Sequence, residues 1–194
     1  AKPIPVLSAQ NIGLFIDDPA AAGGAIRNRT FWYDRLYSTT ASDNTPLRDA
    51  LNQAGVYFET DTTATGPWGP QTGVSQYACR QNFTILTTDG YRNDSFGNVV
   101  GEQDNVAGTL ITNDAGASYQ YQPALPYSSA YSNNLADIAM RYWKTDMRTD
   151  LDNIVAPSTE NPAFWQHMVA FAISIGAGRT LNPKTDLPSL TAGT

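Results

Sequence analysis

The sequence predicts an α/β fold: an open, mostly parallel sheet flanked by helices, with a β-hairpin insertion. Two apolar runs that end in turn residues, 82–90 and 167–178, are typical of strands buried on both faces. Segments with helical periodicity lie before the first run and between the two runs. A polar, aromatic-rich stretch, 91–131, follows the first run and is the expected hairpin insertion. We expect the whole chain, 1–194, to form one domain.

Helical periodicity marks three segments. Residues 30–38 are predicted to form a short helix with Thr30 as its N-cap. In the second helix, Thr45 is an N-cap residue type and Pro46 suits the first helical position. The apolar face of the second helix consists of Leu47, Leu51, Ala54 and Phe58, and that of the third, within residues 133–147, of Leu135, Ile138, Ala139 and Tyr142.

Turn residues delimit the remaining segments. Glycine and proline at positions 66–70 make residues 60–78 a turn-rich insertion. The tetrapeptide "NDAG", residues 113–116, lies between two β-prone runs and predicts a hairpin turn. The alternating apolar residues expected to form a short strand near the start of the chain are Ile12, Leu14 and Ile16.

Composition disfavours several classes of protein. The 194 residues are 41% apolar and 15% charged, which favours a folded chain over a disordered one. The net charge of −6 and the lack of any basic run disfavour nucleic-acid binding and anchoring to an anionic membrane. No run approaches the roughly 18 apolar residues of a membrane span, and no signal segment is recognisable. Both ends resemble cut ends, so we expect a piece of a longer protein.

Single copies of cysteine and histidine limit the chemistry. Cys79 is either a buried small hydrophobe or half of a disulfide whose partner lies outside the chain. His167 precedes an apolar run and is expected to be a hydrogen-bonded structural side chain. One cysteine and one histidine exclude zinc sites built from several such ligands. The stretch "IGAGRT", 175–180, lacks the third glycine of a dinucleotide-binding loop and is expected to be a turn.

Thr45 and Asp89 are the candidate site residues. In open α/β sheets, ligands bind outside the carboxyl ends of the strands, and Asp89 directly follows an apolar run. Thr45 lies at the amino end of a helix, a position that favours anions and oxygen-rich chemistry. A hard divalent cation prefers such hydroxyl and carboxylate oxygens. The simpler interpretation, that Asp89 belongs to a turn and Thr45 is an ordinary N-cap, stays open.

Several stretches together resemble a known family. "TPLRDAL" followed by "FTILTTDG" is similar to the second and third metal motifs of a von Willebrand factor A domain. A longer series, covering around half of the chain, resembles the PilY/PilC family of type IV pilus biogenesis proteins. The stretches of that series are "FWYDRLY", "TPLRDALNQAGVYF", "CRQNFTILTTDGYRND", "LADIAMRYWKTDMRTDLDNIV" and "NPAFWQHMVAFAISIGAGRTL". The first metal motif, D-x-S-x-S, does not occur in the chain.

The resemblance implies a partial von Willebrand factor A-like domain with insertions at 60–78 and 91–131. By position, Thr45 resembles the metal-site threonine and Asp89 the metal-site aspartate, with Mg²⁺, Mn²⁺ or Ca²⁺ as the implied ion. The implied location is extracytoplasmic, in the periplasm, outer membrane or cell surface at the pilus. The implied partners are minor pilins and other pilus components, host or surface ligands, and the remaining domains of the same protein.

Three functions follow as hypotheses. The resemblance implies a non-enzymatic module that acts in pilus assembly, adhesion and surface sensing. The alternatives are an α/β enzyme that uses Asp89 or His167, and a purely structural domain whose metal site is vestigial. The sequence lacks a nucleophile elbow and a phosphate-binding loop, which disfavours the enzyme. Trp68, in "GPWGP", is expected to pack over the sheet; contact with a glycan or protein from the surface is the alternative.

Overall fold

The computed structural model forms two compact units, residues 1–43 and 44–194, each of which is described by itself. The strand expected near Ile12 and most of the stretch 175–180 lie outside the described residues. The described residues are 17–18, 26–38, 40, 45–63, 66–69, 76–90, 93, 97, 100–175 and 182–192.

The first unit contains two short strands and a helix. Strand β1, Asp17–Asp18, pairs antiparallel with strand β2, Ile26–Arg27, and helix α1, Asn28–Ser38, follows directly. Thr30 therefore lies inside α1, and its expected role as the N-cap is wrong. Its backbone N–H and its hydroxyl donate to the two carboxylate oxygens of Asp17 instead, which ties the helix to β1.

The second unit is an α/β structure built on a small parallel sheet. Strands β3 and β6 are the two apolar runs of the sequence, and they pair in parallel from Asn82↔Met168 to Thr88↔Ser174. The hairpin expected around "NDAG" is confirmed as the antiparallel pair β4 and β5. In chain order, this unit contains helix α2 (Leu47–Thr60), strand β3 (Asn82–Thr88), strands β4 (Ile111–Thr112) and β5 (Ser118–Tyr119), helix α3 (Leu135–Lys144), strand β6 (Met168–Ser174) and helix α4 (Pro183–Ala192).

Helix α2 begins one residue later than the sequence predicts. The carbonyl of Pro46 accepts the first helical hydrogen bond, from the N–H of Ala50, at 2.9 Å. Pro46 is thus the N-cap, and it has no side chain that can cap. Thr45 lies outside the helix, so its expected N-cap role is wrong. The backbone N–H of Thr45 donates to Oδ1 of Asn93, outside the helix.

Helices α2 and α3 pack against each other over one face of the sheet. The expected apolar positions are confirmed: Leu47, Leu51, Ile138 and Tyr142 are buried. Close approach depends on Gly55, because a Cβ there would lie 2.2 Å from the ring of Tyr142. The hydroxyl of Tyr142 donates to Oδ1 of Asn52 at 2.9 Å, which fixes the crossing of the two helices. The buried residues of this core are Leu51, Trp68, Val100, Ile138, Tyr142, Met147, Leu151 and Met168.

The structure decides between the alternative interpretations of Trp68 and Cys79. Trp68 is fully buried, its ring lies 5.9 Å from that of Phe58, and its Nε1–H donates to the carbonyl of Arg80 at 2.9 Å. The expected packing role is therefore confirmed, and a surface ligand contact by Trp68 is wrong. Cys79 is exposed, so its interpretation as a buried hydrophobe is wrong.

Helix α4 was not expected from the sequence. Asn182 precedes it and accepts the N–H of Lys184 through Oδ1 at 3.1 Å, and Pro183 occupies the first helical position. Pro188 lies inside the segment, where proline disfavours a helix. None of the helices described, α4 included, has the length and apolar character needed to cross a membrane.

Candidate functional site

Asp89 lies at the carboxyl end of the parallel sheet, directly after β3, and its side chain is exposed. The turn that carries it is closed by Thr88, whose hydroxyl donates to the carbonyl of Gly90 at 2.9 Å and accepts the N–H of Gly90 at 3.2 Å. The aspartate is therefore held at the strand end by a local turn, while its carboxylate faces solvent.

Thr45 lies beside the same loop. Its backbone N–H donates to Oδ1 of Asn93, which follows Asp89 by four residues. The start of α2 and the loop after β3 are thus joined by a hydrogen bond across 48 positions of sequence. This contact brings the two loops of the predicted metal edge together. No side chain of the described residues caps the start of α2, so the hydroxyl of Thr45 is not committed to that helix.

His167 forms a closed network with two neighbouring side chains. Oδ1 of Asn161 accepts the indole N–H of Trp143 at 2.9 Å, so the amide nitrogen of Asn161 faces Nε2 of His167, also at 2.9 Å. Nε2 must then accept, and Nδ1–H donates to the carbonyl of Trp165 at 2.7 Å. The pattern assigns a neutral imidazole protonated on Nδ1, which is the structural role expected for this residue.

The environment of His167 opposes its protonation. The side chain is buried, and burial lowers its pKa below the usual value, with partial compensation from the hydrogen bond to the carbonyl of Trp165. A proton on Nε2 would also face the amide group of Asn161 instead of an acceptor. Both nitrogens are occupied and the ring is enclosed, so His167 cannot reach a bound substrate in this conformation.

A second oxygen-rich group joins the segment 102–104, which precedes β4, to the first turn of α3. Carboxylate oxygens of Glu102, Asp104 and Asp137 lie within 4.8 Å of one another, and the two aspartates are buried. Carboxylates are the ligands that hard divalent cations prefer, so this acidic trio meets the donor requirement for one. Asp137 also caps α3 together with Asn134, whose side chain accepts the N–H groups of Ala136 and Asp137.

Hydrogen bonds already satisfy the acidic trio. Both oxygens of Asp104 accept from Ser129, through its N–H and its hydroxyl. Those of Asp137 accept from the backbone of Gln103 and Asn134. Those of Glu102 accept from the N–H of Asn105 and the hydroxyl of Ser132. A cation would have to replace several of these bonds, so the trio serves first to hold the loop to α3.

Lys144 supplies positive charge to the same loop. Its ammonium donates to the carbonyls of Gln103 and Val106, at 2.7 and 2.9 Å. Burial lowers the pKa of Lys144, while the nearby carboxylates of the acidic trio act in the opposite direction. The ammonium therefore balances part of the negative charge from within the chain, which weakens the demand for a bound cation.

Sequence reasoning missed the acidic trio and had only one signal for it. Asn134 with Asp137 three residues later is a capping-box pattern and could have identified the start of α3. The other two carboxylates come from a loop more than 30 positions earlier, and nothing local in "GEQDN" predicts that they meet Asp137. The predicted pair, by contrast, lies on two loops that a hydrogen bond does join.

Comparisons with known proteins give relatives in one organism. The chain is 34% identical over 188 residues to the type IV pilus biogenesis factor PilY1 of Pseudomonas aeruginosa strain PAK, covering 86% of this chain and 16% of the relative. It is 31% identical over 168 residues to PilY1 of strain UCBPP-PA14, covering 77% and 13%. It is 33% identical over 174 residues to PilY1 of strain PAO1, covering 80% and 14%.

These matches cover most of the chain but a small part of each relative. The chain spans 13–16% of the length of the curated relatives it matches. No protein-family model matches the chain, and no solved structure matches it either. The resemblance to the PilY/PilC family is therefore confirmed, for a partial region that resembles PilY1.

Proposed function

We propose that this chain, a PilY1-like region, is a non-enzymatic module of a protein that acts in type IV pilus biogenesis. The identity of 31–34% to three PilY1 proteins over 77–86% of the chain carries the proposal. Within that protein the module contributes to pilus assembly, adhesion and surface sensing. Its partners are other pilus components, surface ligands and the remaining domains of the same polypeptide, in an extracytoplasmic setting.

The fold proposed for the module is that of a von Willebrand factor A domain. The parallel pair β3 and β6, with helices α2 and α3 on it, supports this assignment. The metal edge of such a domain would use the hydroxyl of Thr45 and the carboxylate of Asp89, for Mg²⁺, Mn²⁺ or Ca²⁺. The hydrogen bond between Thr45 and Asn93 supports this pairing of loops. One hydroxyl and one exposed carboxylate make a weak site, completed by water or by a carboxylate of the ligand.

A genetic experiment tests the role in pilus biogenesis. In the bacterium that encodes the chain, the chromosomal gene is replaced by an allele that lacks residues 45–175. We expect fewer surface pili, measured as major pilin in the sheared fraction, with total pilin unchanged. An allele with Gln53→Ala, on an exposed position of α2, is the control and should retain wild-type piliation. Normal piliation with the deletion allele would contradict the proposal.

Calorimetry tests the metal edge. Titration of the chain with Mg²⁺, Mn²⁺ and Ca²⁺ should give heat for at least one ion, and Asp89→Ala and Thr45→Ala should each remove it. Asp114→Ala, at an exposed carboxylate of the hairpin turn, is the matched control and should bind normally. Heat that survives Asp89→Ala but disappears with Asp104→Asn would assign the ion to the acidic trio. No heat with any ion would leave a purely structural domain.

A further inference from the structure

A cleft beside β6 is a feature of the described chain that the proposed function does not use. Its volume is about 540 Å³, which lies in the range typical of ligand sites. Its walls come from the hairpin, the loop after it, α3, the segment before β6 and the start of β6 itself. The aromatic and large apolar side chains that line it are Tyr119, Tyr121, Tyr127, Met140, Trp143 and Met168.

The walls of the cleft are fixed by hydrogen bonds. The hydroxyl of Tyr121 donates to the carbonyl of Asp104 at 2.6 Å, and the indole of Trp143 donates to Asn161 at 2.9 Å. The ring of Trp143 also meets that of Tyr119 edge to face, at 6.1 Å between centroids. A pocket whose lining is held in this way needs little ordering when a ligand binds. Tyr127 is the exception, since its side chain is largely exposed.

One side of the cleft is an open strand edge. Among the residues that the structure describes, β6 pairs only with β3. The N–H of Ile175 donates to the carbonyl of Thr88, so backbone groups of odd-numbered residues of β6 face β3. Those of Ala170 and Ala172 therefore face the opposite edge, with which no described strand pairs. Val169 and Ala170 line the cleft, so this free edge runs along it.

The charge of the cleft is negative. Among the described residues that line the cleft, Glu160 is the only aspartate, glutamate, lysine, arginine or histidine. The carboxylate of Glu160 is exposed, and it accepts a long hydrogen bond of 3.5 Å from the hydroxyl of Ser158. The chain as a whole carries a net charge of −6. Aromatic faces and a free carboxylate together favour a ligand with apolar groups and a positive charge.

We propose that this cleft binds an extended peptide segment of a partner protein, which adds as a strand to the free edge of β6. Backbone hydrogen bonds to Ala170 and Ala172 give the segment its direction. Alternate apolar side chains enter the aromatic cleft, and a lysine or arginine lies against Glu160. This is strand addition, in which the edge provides affinity and the adjoining cleft provides selectivity. The proposal rests on the cleft and the edge, and it requires neither the pilus role nor a bound cation.

Peptide binding to the full 194-residue chain tests the proposed strand addition. The probe is the fluorescein-labelled peptide TVKVTLT, followed by fluorescence anisotropy, with TVEVTLT as its charge-reversed counterpart. Two further forms carry N-methyl groups on alternate residues, one on each edge of the extended peptide. We expect TVKVTLT to bind, and one N-methylated form to bind at least about tenfold more weakly while the other binds normally, because only one edge pairs with β6.

Variants of the chain locate the site. Tyr127→Ala should weaken binding about fivefold, and Glu160→Lys should weaken binding of TVKVTLT about threefold while improving that of TVEVTLT. The matched controls are Tyr131→Ala and Asp114→Lys, at exposed positions outside the cleft, and they should leave both affinities unchanged. Hydrogen exchange at the amides of Ala170 and Ala172 should slow when the peptide is present.

Four results would overturn the proposal. The first is no anisotropy change up to millimolar chain concentration. The second is an equal loss of affinity for both N-methylated forms, or no loss for either form, because the backbone edge would then play no part. The third is binding of cellohexaose that needs Tyr127 but not Glu160, which would make the cleft a carbohydrate site. The fourth is a dimer in sedimentation velocity in which Ala170 and Ala172 exchange slowly without peptide, which would make it an interface between copies.

Discussion

The segment 163–175 contains two halves with opposite surroundings. From Ala163 to Met168 every side chain is buried, and Trp165 is 0% exposed. From Phe171 to Ile175 the apolar side chains are half exposed or more, with Phe171 at 53%. A parallel strand is normally covered on both faces. Among the described elements, α2 and α3 pack on one face of β3 and β6, and the opposite face carries Phe83, Ile85, Phe171, Ile173 and Ile175.

The comparison separates what stabilises the chain from what is available for binding. The buried half holds two loops through side-chain hydrogen bonds, including those of Gln166 to the carbonyls of Ala78 and Asp152. Among the residues that the structure describes, the exposed half pairs with β3 alone. Substitutions should therefore have large effects on stability in the first half and small ones in the second.

The largest effect is expected for Trp165→Ala. The ring of Trp165 stacks on Tyr119 at 5.4 Å and meets Phe164 and Trp143 edge to face, at 5.3 and 5.7 Å. Removing it leaves a cavity, so we expect a loss of about 3–5 kcal/mol in the free energy of unfolding. Urea denaturation followed by far-UV circular dichroism measures this loss. Tyr131→Ala is the control, and a comparable loss there would contradict the comparison.

A smaller effect is expected for Gln166→Ala. The amide nitrogen of Gln166 donates to the carbonyls of Ala78 and Asp152, at 2.7 and 2.9 Å, inside the protein. Both carbonyls would lose a partner, which costs about 1–3 kcal/mol of unfolding free energy. Gln53→Ala, on an exposed position of α2, should change stability by no more than about 0.5 kcal/mol. Equal values for the two variants, from the same urea titrations, would show that the bonds of Gln166 are not formed in solution.

The secondary structure was largely predictable from sequence because it follows local periodicity. Ile138 and Tyr142 lie four positions apart and are buried together, as the helical pattern predicts. The two strands of the parallel pair were also predicted, because each is a short apolar run that ends in turn residues. A pattern of apolar residues does not report how many faces of a strand are covered. Both strands were therefore expected to be buried on both faces, which is wrong at Phe171.

The candidate site was less predictable because it depends on contacts between distant positions. Trp68 is buried through its contact with Phe58 and the carbonyl of Arg80, which no local pattern in "GPWGP" contains. The acidic trio combines residues more than 30 positions apart. Thr45 and Asp89 were named by family resemblance, and spacing alone favoured neither as a ligand. The hydrogen bond from Thr45 to Asn93 shows that the two loops meet, while their cation remains a proposal.

Acidification should destabilise the chain through His167. Burial lowers the pKa of His167 in the folded state, while the unfolded chain has an ordinary histidine pKa of about 6.5. The unfolded state therefore binds the proton more readily. The stabilisation is complete above about pH 6.5 and is lost as the pH falls towards the folded pKa, with a slope of at most about 1.4 kcal/mol per pH unit.

Urea titrations between pH 7.5 and 5 measure this dependence. His167 is the only histidine in the sequence, so the difference between wild type and His167→Gln isolates it. Both proteins contain Asp146, whose pKa is raised by burial, so its contribution to the pH dependence cancels in that difference. The contribution of Asp146 has the opposite sign to that of His167. Parallel pH profiles for the two proteins would contradict the assignment of a neutral, enclosed imidazole.

The smallest effect is expected for Ile173→Thr. The side chain is 50% exposed on the uncovered face of β6, and threonine keeps the β-branched shape that suits a strand. We expect a change of no more than about 0.5 kcal/mol in the free energy of unfolding. Val155→Thr is the matched control, because Val155 is buried. The threonine hydroxyl would be buried there without a hydrogen-bond partner, which lowers the free energy of unfolding by about 1–3 kcal/mol.

A large effect of Ile173→Thr would be informative in its own right. If the loss matched that of Val155→Thr, the face around Ile173 must be covered in solution. Such cover could come from a second copy of the chain, and sedimentation velocity would then show a dimer that Ile173→Thr dissociates. A monomer with a small loss would establish that the face is open in the chain alone. In that case the exposed half of β6 adds little to stability, and its apolar character is explained by contact with polypeptide beyond this region or with a partner.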